Sequence, residues 1–280
     1  MCLSKDGEPL RYRMKWIDTI MFNGEPVVKL RLQLLAARVG RFYIAEQRYT
    51  HQGRRKEELL IEKYKDWFTA YTDKITFLID EKDYSQETDA WVVENAQRNY
   101  PVDKLIEDYS GQSYICSVCD CDEIPDWRAV ERMGVEKLYD LCKGGAVIMK
   151  QQLFYYNLNW GPTPWRRAFF LNDVTVEKYK DLQLFRNIDG QGPVTGSFDC
   201  GWHFSYFMEP ADIVRKIESF AHKEVNKDSF KNKDHVKACI TEGKDLYGRD
   251  YVLPRNMTFD YPKEIMVFHF GLLASQYAAF

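Results

Sequence analysis

The sequence predicts an α/β fold, in which parallel strands alternate with helices. The segments WIDTIMF (16–22) and RFYIAEQ (41–47) have the composition of buried strands, and between them Val27, Leu30 and Leu34 recur at helical spacing. Polar residues follow these strands directly, at the sheet edge where α/β proteins bind ligands. A chain of 280 residues can also bury one large core, so we expect a single domain.

Composition and charge exclude several classes of function. The chain has 45% hydrophobic and 15% aromatic residues, as an ordinary folded protein does. Its net charge is -3 and its lysines and arginines are scattered, so we expect no nucleic-acid partner. No apolar segment resembles a signal peptide or approaches the roughly 20 residues of a spanning helix. We therefore expect a soluble, cytoplasmic protein without an integral membrane segment.

The remaining elements follow in chain order. Strand composition and helical periodicity predict a strand at 74–79, a helix at 89–109, a strand at 114–118 and a helix at 127–141. In the second half, aromatic runs and periodicity predict strands within 149–160, 165–174 and 201–207 and a helix at 211–224. We find no repeat and no low-complexity linker. The two halves, about 12–130 and 131–280, are therefore expected to share one core.

The stretch ICSVCDCDEIP (115–125) presents both thiols and carboxylates as candidates for chemistry. Cys116 and Cys119 lack the second cysteine pair of a structural zinc site, and the odd total of seven cysteines favours free thiols in a reducing compartment. Asp120 and Asp122, by contrast, form an Asp-x-Asp at a strand end. Such oxygen ligands suit Mg²⁺ or Mn²⁺ with a bound diphosphate, although a solvated acidic turn is the alternative.

Several motifs spread over nearly the whole chain resemble glycosyltransferase family 17, the group of β-1,4-mannosyl-glycoprotein N-acetylglucosaminyltransferase-like enzymes. They are DTIMFNGEPVVKLRL, RFYIAEQRYTHQG, WVVENAQRN, SVCDCDEIP, LFYYNLNW, GWHFSYF and ESFAHKE. The chain departs from the usual family pattern by the insertion of Gly24 and by Gln47 and Arg48. The sequence shows no anchor or stem, from which we expect either a microbial or viral member or a shortened form of a longer chain.

The resemblance implies a GT-A fold, with a Rossmann-like nucleotide-binding half joined to an acceptor-binding half. It further implies inverting transfer from a UDP-sugar to a glycan or glycoprotein acceptor, with Mn²⁺ or Mg²⁺ as cofactor. N-acetylglucosamine is the sugar expected for the family, and xylose or another sugar remains open. The alternatives are a nucleotide-sugar hydrolase and a non-catalytic carbohydrate-binding protein with a degenerate site.

The resemblance also assigns donor-binding residues. Asn23 and Glu25 in the first loop, and Glu46 at the end of the second strand, would border the nucleotide. Arg98 would face the diphosphate. The alternative for Arg98 is an ion pair with Glu94, four residues earlier on the same helix. Asp120 would contact the ribose or a metal-bound water.

Metal ligands are expected at Asp120, Asp122 and His222, with His269 as an alternate histidine. The catalytic base that deprotonates the acceptor hydroxyl is expected among three residues around the GWHFSYF segment. These candidates are Asp199, His203 and Glu209. The aromatic residues proposed to stack on acceptor sugars are Trp160, Trp165, Trp202 and Tyr206.

Overall fold

The structure is a computed structural model that describes residues 14–186 and 192–278. Its strands are β1 (Lys15–Met21), β2 (Arg41–Gln47), β3 (Ile75–Asp80), β4 (Tyr114–Asp120), β5 (Glu123–Ile124), β6 (Ala146–Tyr155), β7 (Thr163–Trp165), β8 (Phe169–Asn172) and β9 (Val194–Ser205). The first four predicted strands lie where the sequence places them, within one or two residues at each end. The segment 201–207 belongs mostly to β9, which is longer than expected.

Helices connect or flank these strands along the chain, and short 3₁₀ segments occur in some of the loops. They are α1 (Val28–Leu35), α2 (Leu60–Lys63), α3 (Ala90–Asn99), α4 (Val102–Asp108), α5 (Trp127–Met133), α6 (Val135–Cys142), α7 (Asp173–Tyr179), α8 (Pro210–Ser219), α9 (Asp228–Lys231), α10 (Lys233–Glu242) and α11 (Lys263–Ala278). Among the described residues, none of these helices combines the length and the apolar character needed to cross a bilayer.

Two predicted helices are each broken into a pair. The predicted helix at 89–109 is divided into α3, which ends at Asn99, and α4, which begins at Val102, because Pro101 has no backbone N–H to continue the hydrogen-bond ladder of α3. The predicted helix at 127–141 is divided at Gly134, whose φ of 85° is outside the helical range. Helix α8 ends at Ser219, so the C-terminal part of the predicted helix at 211–224 is a turn.

The strands form one nine-stranded sheet in the order β3-β2-β1-β4-β8-β6-β9-β5, with β7 paired to β6. β1 pairs in parallel with both β2 and β4, and β2 with β3, which is the βαβ arrangement that the opening segments predict. In the register of β1 and β4, Met21 lies opposite Asp120. The predicted α/β class is confirmed, and the specific GT-A assignment stays a prediction.

The sheet curls because β5 follows β4 after only two residues but pairs with β9 at the far end of the strand order. In this pairing Glu123 lies opposite His203. β9 runs parallel to β6, which is antiparallel to β8, which in turn is antiparallel to β4. The carboxyl ends of β1, β4 and β9 therefore lie at the same edge, and the curl brings them together around one space.

Both faces of the central strands are buried, as expected for strands covered by helices. Successive residues of β1 belong to different hydrophobic clusters: Trp16 and Ile20 lie in one, and Ile17 lies in the other. The larger cluster extends from Trp16 to Leu272 on α11, so it includes side chains from both halves of the chain.

Candidate functional site

A polar cleft of about 590 Å³ opens at the carboxyl edge of the sheet. The loop after β1 contributes Asn23 and Glu25, and the β4–β5 turn contributes Asp122. β9 adds His203 and α8 adds Lys216. These residues are far apart in sequence and meet because three carboxyl strand ends share this edge, as at the ligand sites of other α/β sheets. We call this space the polar cleft.

Asp120 lies at the end of β4 between two guanidinium groups. Arg98 Nη1 donates to Asp120 Oδ1 at 2.7 Å, and Arg186 pairs with the other oxygen. Burial opposes ionisation, but Arg186 and Arg98 outweigh burial and lower the pKa of the Asp120 carboxyl to about 2. Asp120 is therefore a carboxylate at neutral pH, and both of its oxygens have cationic partners.

Asp122 faces one ammonium group and one imidazole ring. Lys216 Nζ lies 2.8 Å from Asp122 Oδ2, and His203 Nε2 lies 3.5 Å from Asp122 Oδ1. Burial opposes the charge on Asp122, but Lys216 and His203 hold the pKa of its carboxyl far below the usual range. Lys216 is also 3.6 Å from Glu25 Oε1. Although burial opposes its charge, the two carboxylates raise the pKa of the Lys216 ammonium, which therefore stays protonated.

Arg31 of α1 holds the backbone of the β4–β5 turn, which follows Asp120 and contains Asp122. Arg31 is fully buried, makes two hydrogen bonds of 2.7 Å to Asp18 of β1, and donates through Nη1 to the backbone oxygens of Glu123 at 2.7 Å and Asp120 at 3.2 Å. One buried ion pair thus connects β1 and α1 to the turn that presents Asp122.

Arg31, Arg186 and Lys216 are residues that the sequence interpretation does not include. Two of them have a recognisable signal: each is a charged residue at an apolar position of a helix. Arg31 stands between Leu30 and Leu32, and Lys216 follows Ile213 by three residues on the buried face of α8. A charge on such a face requires a buried partner.

The three candidate bases lie in three different places. His203 lines the polar cleft and packs its ring against Trp165, with ring centroids 4.4 Å apart. Asp199 is exposed in a second depression, and Glu209 is exposed before α8 in a third. Among the candidates, His203 is therefore the one that the fold brings to Asp122.

The predicted donor-binding residues are partly brought together. Asn23 and Glu25 line the polar cleft, and Asn23 N donates to Glu25 Oε2 at 2.8 Å. Glu46 is fully buried outside the cleft lining, where it accepts from Lys56 Nζ and from the backbone N–H groups of Leu60 and Ile61, each at 2.8 Å. Its observed role is to hold the start of α2, and nothing in this placement supports contact with a nucleotide.

Arg98 lies behind the cleft wall. It donates to Glu94 at 3.0 Å, to Gln183 at 2.7 Å and to Asp120, so the alternative ion pair with Glu94 is present. Its side chain is 2% exposed, whereas Arg186 belongs to the cleft lining. Arg186, rather than Arg98, therefore presents a guanidinium group to the polar cleft.

The predicted histidine ligands do not join the aspartates. His222 lies in the turn after α8, lines the cleft mouth and pairs through Nδ1 with Glu224 at 2.6 Å. His269 is buried on α11, where Nδ1 accepts from Leu158 N at 3.3 Å. Within residues 14–186 and 192–278, no three His, Cys, Asp or Glu side chains are grouped as a ready metal site.

The predicted sugar-stacking residues also separate. Trp165 and Tyr206 line the polar cleft, and Trp202 lines the second depression. Trp160 lines neither, since its Nε1 donates to Ile240 O at 2.7 Å in the packing of α10.

The thiol alternative is inconsistent with the strand geometry. Cys116 and Cys119 are three residues apart on β4, so their side chains point to opposite faces of the sheet and lie in different hydrophobic clusters. Burial raises the pKa of both thiols. The six described cysteines are free and buried, and Cys2 lies outside the described residues.

Three buried polar atoms of the cleft lining have no hydrogen-bond partner among the described residues. They are His51 Nδ1, Asn95 Oδ1 and His203 Nδ1. Buried polar groups are paired in most proteins, so each unpaired group calls for an explanation, such as a catalytic role or a bound water or ion. Together with the paired cations and carboxylates, they define a cleft suited to a polar, phosphate-bearing ligand of the kind that nucleotide-dependent α/β enzymes bind.

The chain belongs to glycosyltransferase family 17, whose family model matches residues 2–278. The family predicted from the motifs is therefore confirmed over nearly the whole chain. Membership supports glycosyl transfer from a sugar donor to a glycan acceptor as the class of reaction. The comparison with curated proteins gives no match.

The donor set of the cleft fits a divalent cation at one position. Mg²⁺ and Mn²⁺ prefer oxygen ligands, and Mg²⁺ commonly takes one or two carboxylates together with substrate phosphates rather than a complete protein cage. Asp122 is ionised, and its Oδ1 lies 3.5 Å from His203, which leaves lone pairs of this oxygen available. Asp120 is less suitable because both of its oxygens already accept from arginines.

Proposed function

We propose that the protein transfers a sugar from a UDP-sugar to a hydroxyl group of an acceptor glycan, with inversion at the anomeric carbon. The observation that carries this proposal is the convergence of Asp122, Lys216, Arg186 and His203 in one polar cleft at the carboxyl edge of the sheet. The uridine nucleotide, the inverting outcome and N-acetylglucosamine as the expected sugar rest on the family resemblance, and xylose remains an alternative donor sugar.

The cationic residues of the cleft would act on the leaving group. The diphosphate accumulates negative charge as its bond to the anomeric carbon breaks and the electron pair moves to oxygen. Arg186 and Lys216 are fixed by their carboxylate partners, so they are already oriented when the charge develops, which is the condition for electrostatic stabilisation. A divalent cation, held by Asp122, would neutralise further charge on the same diphosphate.

His203 is our candidate for the base. Its Nε2 faces Asp122, and its Nδ1 has no partner among the described residues. Nδ1 would accept the proton of the acceptor hydroxyl while the hydroxyl oxygen forms its bond to the anomeric carbon. The carboxylate of Asp122 would then stabilise the resulting imidazolium.

Calorimetric titration with UDP-N-acetylglucosamine, UDP-xylose, UDP-glucose, UDP-galactose and GDP-mannose, each with and without Mn²⁺, tests the proposal. We expect one UDP-sugar to bind the wild type and to lose its binding in Asp122→Ala. Glu209→Ala is a matched control, because this acid is exposed and lies away from the polar cleft. Equal binding with and without Mn²⁺ would remove the metal from the proposal.

Product analysis separates the alternatives. Release of free sugar at the same rate with and without a glycan acceptor would indicate a nucleotide-sugar hydrolase. Glycan binding without any nucleotide-sugar binding would indicate a carbohydrate-binding protein and contradict the proposed reaction. The cytoplasmic location and the microbial or viral origin stay predictions.

A further inference from the structure

A second cavity, of about 630 Å³, lies next to the polar cleft. Its lining comes from α5, which adds Arg128 and Arg132, from the bulged part of β6 with Lys150, from β7 and the following Arg166, from the middle of β9 and from the segment 258–261 before α11. We call it the second groove. It contains none of the aspartate, arginine and lysine residues assigned above to the donor.

Gln151 gives this groove the character of an incomplete binding site. The residue is 3% exposed and lines the groove, and neither its Oε1 nor its Nε2 has a hydrogen-bond partner among the described residues. It lies on β6 next to the register shift between β6 and β9, opposite Trp165 of β7. An amide with one acceptor and two donors matches a sugar hydroxyl, which can donate and accept. A buried amide left unpaired destabilises a protein unless a ligand completes it.

The other lining groups have the chemistry of carbohydrate recognition. Trp202, Trp165 and Tyr261 contribute aromatic surface, which packs against the apolar faces of pyranose rings. Asp199 and Gln152 are exposed on the adjoining strands and offer acceptors and donors for hydroxyl groups. The lining is thus mixed aromatic and polar, as a site for a polyhydroxylated ligand requires.

Trp165 connects the two cavities. It lines both of them, its indole Nε1 donates to Glu123 Oε1 at 2.6 Å, and its ring lies against His203. A ligand lying in the second groove therefore reaches the polar cleft beside the candidate base.

We propose that the second groove binds the acceptor as an oligosaccharide, with the reacting sugar at Trp165 and the following sugars along Gln151 and Trp202. The inference rests on the proposed transferase function and adds to it the place and the minimum size of the acceptor. It requires an acceptor longer than one sugar, because the groove extends beyond the reacting position.

The test uses the whole protein with the UDP-sugar found by calorimetry and a pooled library of mono-, di-, tri- and tetrasaccharides, with transfer read by mass spectrometry. For the best acceptor series we expect KM to fall with acceptor length in the wild type. Gln151→Leu should raise the KM of the tri- and tetrasaccharide by about tenfold, the equivalent of about one lost hydrogen bond, with kcat and donor affinity unchanged.

Stability provides a second readout. Gln151→Leu replaces an unpaired buried amide by an apolar group of similar size, so the melting temperature of the free protein should stay equal or rise. The matched control is Gln276→Leu, in which a fully buried glutamine loses hydrogen bonds to Asn157, Tyr156 and Met208, and the melting temperature should fall. Asp199→Asn is a further variant of the second groove. Asp199 is exposed at the rim, so the effect of this variant on KM does not depend on how Gln151→Leu affects folding.

The outcomes separate the groove from the reaction. If Gln151→Leu and Asp199→Asn transfer sugar with the same dependence of KM on acceptor length as the wild type, the proposal that the second groove binds the acceptor is wrong. The proposed transferase function is then unaffected. Donor cleavage without transfer to any library member, or no donor binding at all, would overturn the proposed function and the groove with it. A length-dependent KM that disappears in both groove variants would support the inference.

Discussion

Replacement of Arg31 by methionine should destabilise the protein strongly and loosen the turn that carries Asp122. Both members of the Arg31–Asp18 pair have fully buried side chains, and Arg31 also donates to the backbone oxygens of Glu123 and Asp120. Methionine fills much of the same volume but cannot donate. Asp18 then remains buried with Ser117 as its side-chain donor, and three backbone carbonyl groups of residues 120–123 lose a partner.

Removal of one partner of a buried ion pair costs about 3–5 kcal/mol, because the remaining charge is uncompensated. Native proteins are stable by only about 5–15 kcal/mol, so this loss is a large fraction of the total. We expect urea unfolding, followed by tryptophan fluorescence, to show a free energy of unfolding lowered by about this amount. The donor affinity of the folded variant should also fall, because the aspartate turn loses its anchor.

Two further variants distinguish the effect of an uncompensated buried charge on the free energy of unfolding from the effect of losing any arginine. Arg38→Met removes a half-exposed pair with Glu131 and should change the free energy of unfolding by at most about 1 kcal/mol. The double variant Asp18→Leu with Arg31→Met should recover part of the loss, because no buried charge remains. If Arg31→Met costs no more than Arg38→Met, the argument from the buried pair is wrong.

Three other outcomes are expected. Lys216→Met should reduce kcat for transfer about 100-fold or more, because a fixed cation at the leaving group is lost. Glu209→Gln, the control, should retain the wild-type kcat. Equal kcat values in the two variants would contradict the role of Lys216. Burial lowers the pKa of His269 to about 4, so the unfolded chain binds a proton at this histidine first as the pH falls. The free energy of unfolding, measured with urea, should therefore decrease between about pH 6.5 and 4. His269→Asn retains an acceptor for Leu158 N and should show a smaller decrease over this range. Iodoacetamide should leave the six described cysteines unmodified in the native protein, and mass spectrometry that finds modified Cys116 or Cys119 would restore the thiol interpretation.

The strands β1, β2 and β4 were predictable because they are buried on both faces and are therefore rich in apolar and β-branched residues, and the partly buried edge strand β3 has the same composition. β2 occupies the predicted residues 41–47, and β1, β3 and β4 differ from prediction by one or two residues at their ends. The helix breaks at Pro101 and Gly134 were not predicted, although a proline and a glycine within periodic segments are the signals for them. Helix α9 has only four residues, too few for a periodic pattern, whereas α10 has Val236, Cys239 and Ile240 at helical spacing that the sequence interpretation did not use.

The candidate site was predictable to the extent that its residues follow strand ends. Asn23, Glu25 and Asp122 line the polar cleft because β1 and β4 are parallel neighbours, and the carboxyl ends of such strands meet at one edge. Glu46 lies in the last two residues of β2, yet its carboxylate is turned toward Lys56 and the start of α2. A strand end therefore indicates the edge, and the direction of the side chain depends on the surrounding packing.

Short-range patterns in the sequence were enough to predict the α/β class, the family and the Asp-x-Asp turn. These patterns are the strand composition, the helical spacing of apolar residues and the family motifs. The partners of that turn could not be inferred in this way. Arg186 and Lys216 are 66 and 94 residues from the aspartates that they contact, and the choice of His203 over Asp199 and Glu209 depends on the curl that pairs β5 with β9. Electrostatic contacts act over a few ångströms in space whatever the separation in sequence, so only the folded arrangement decides which charges meet.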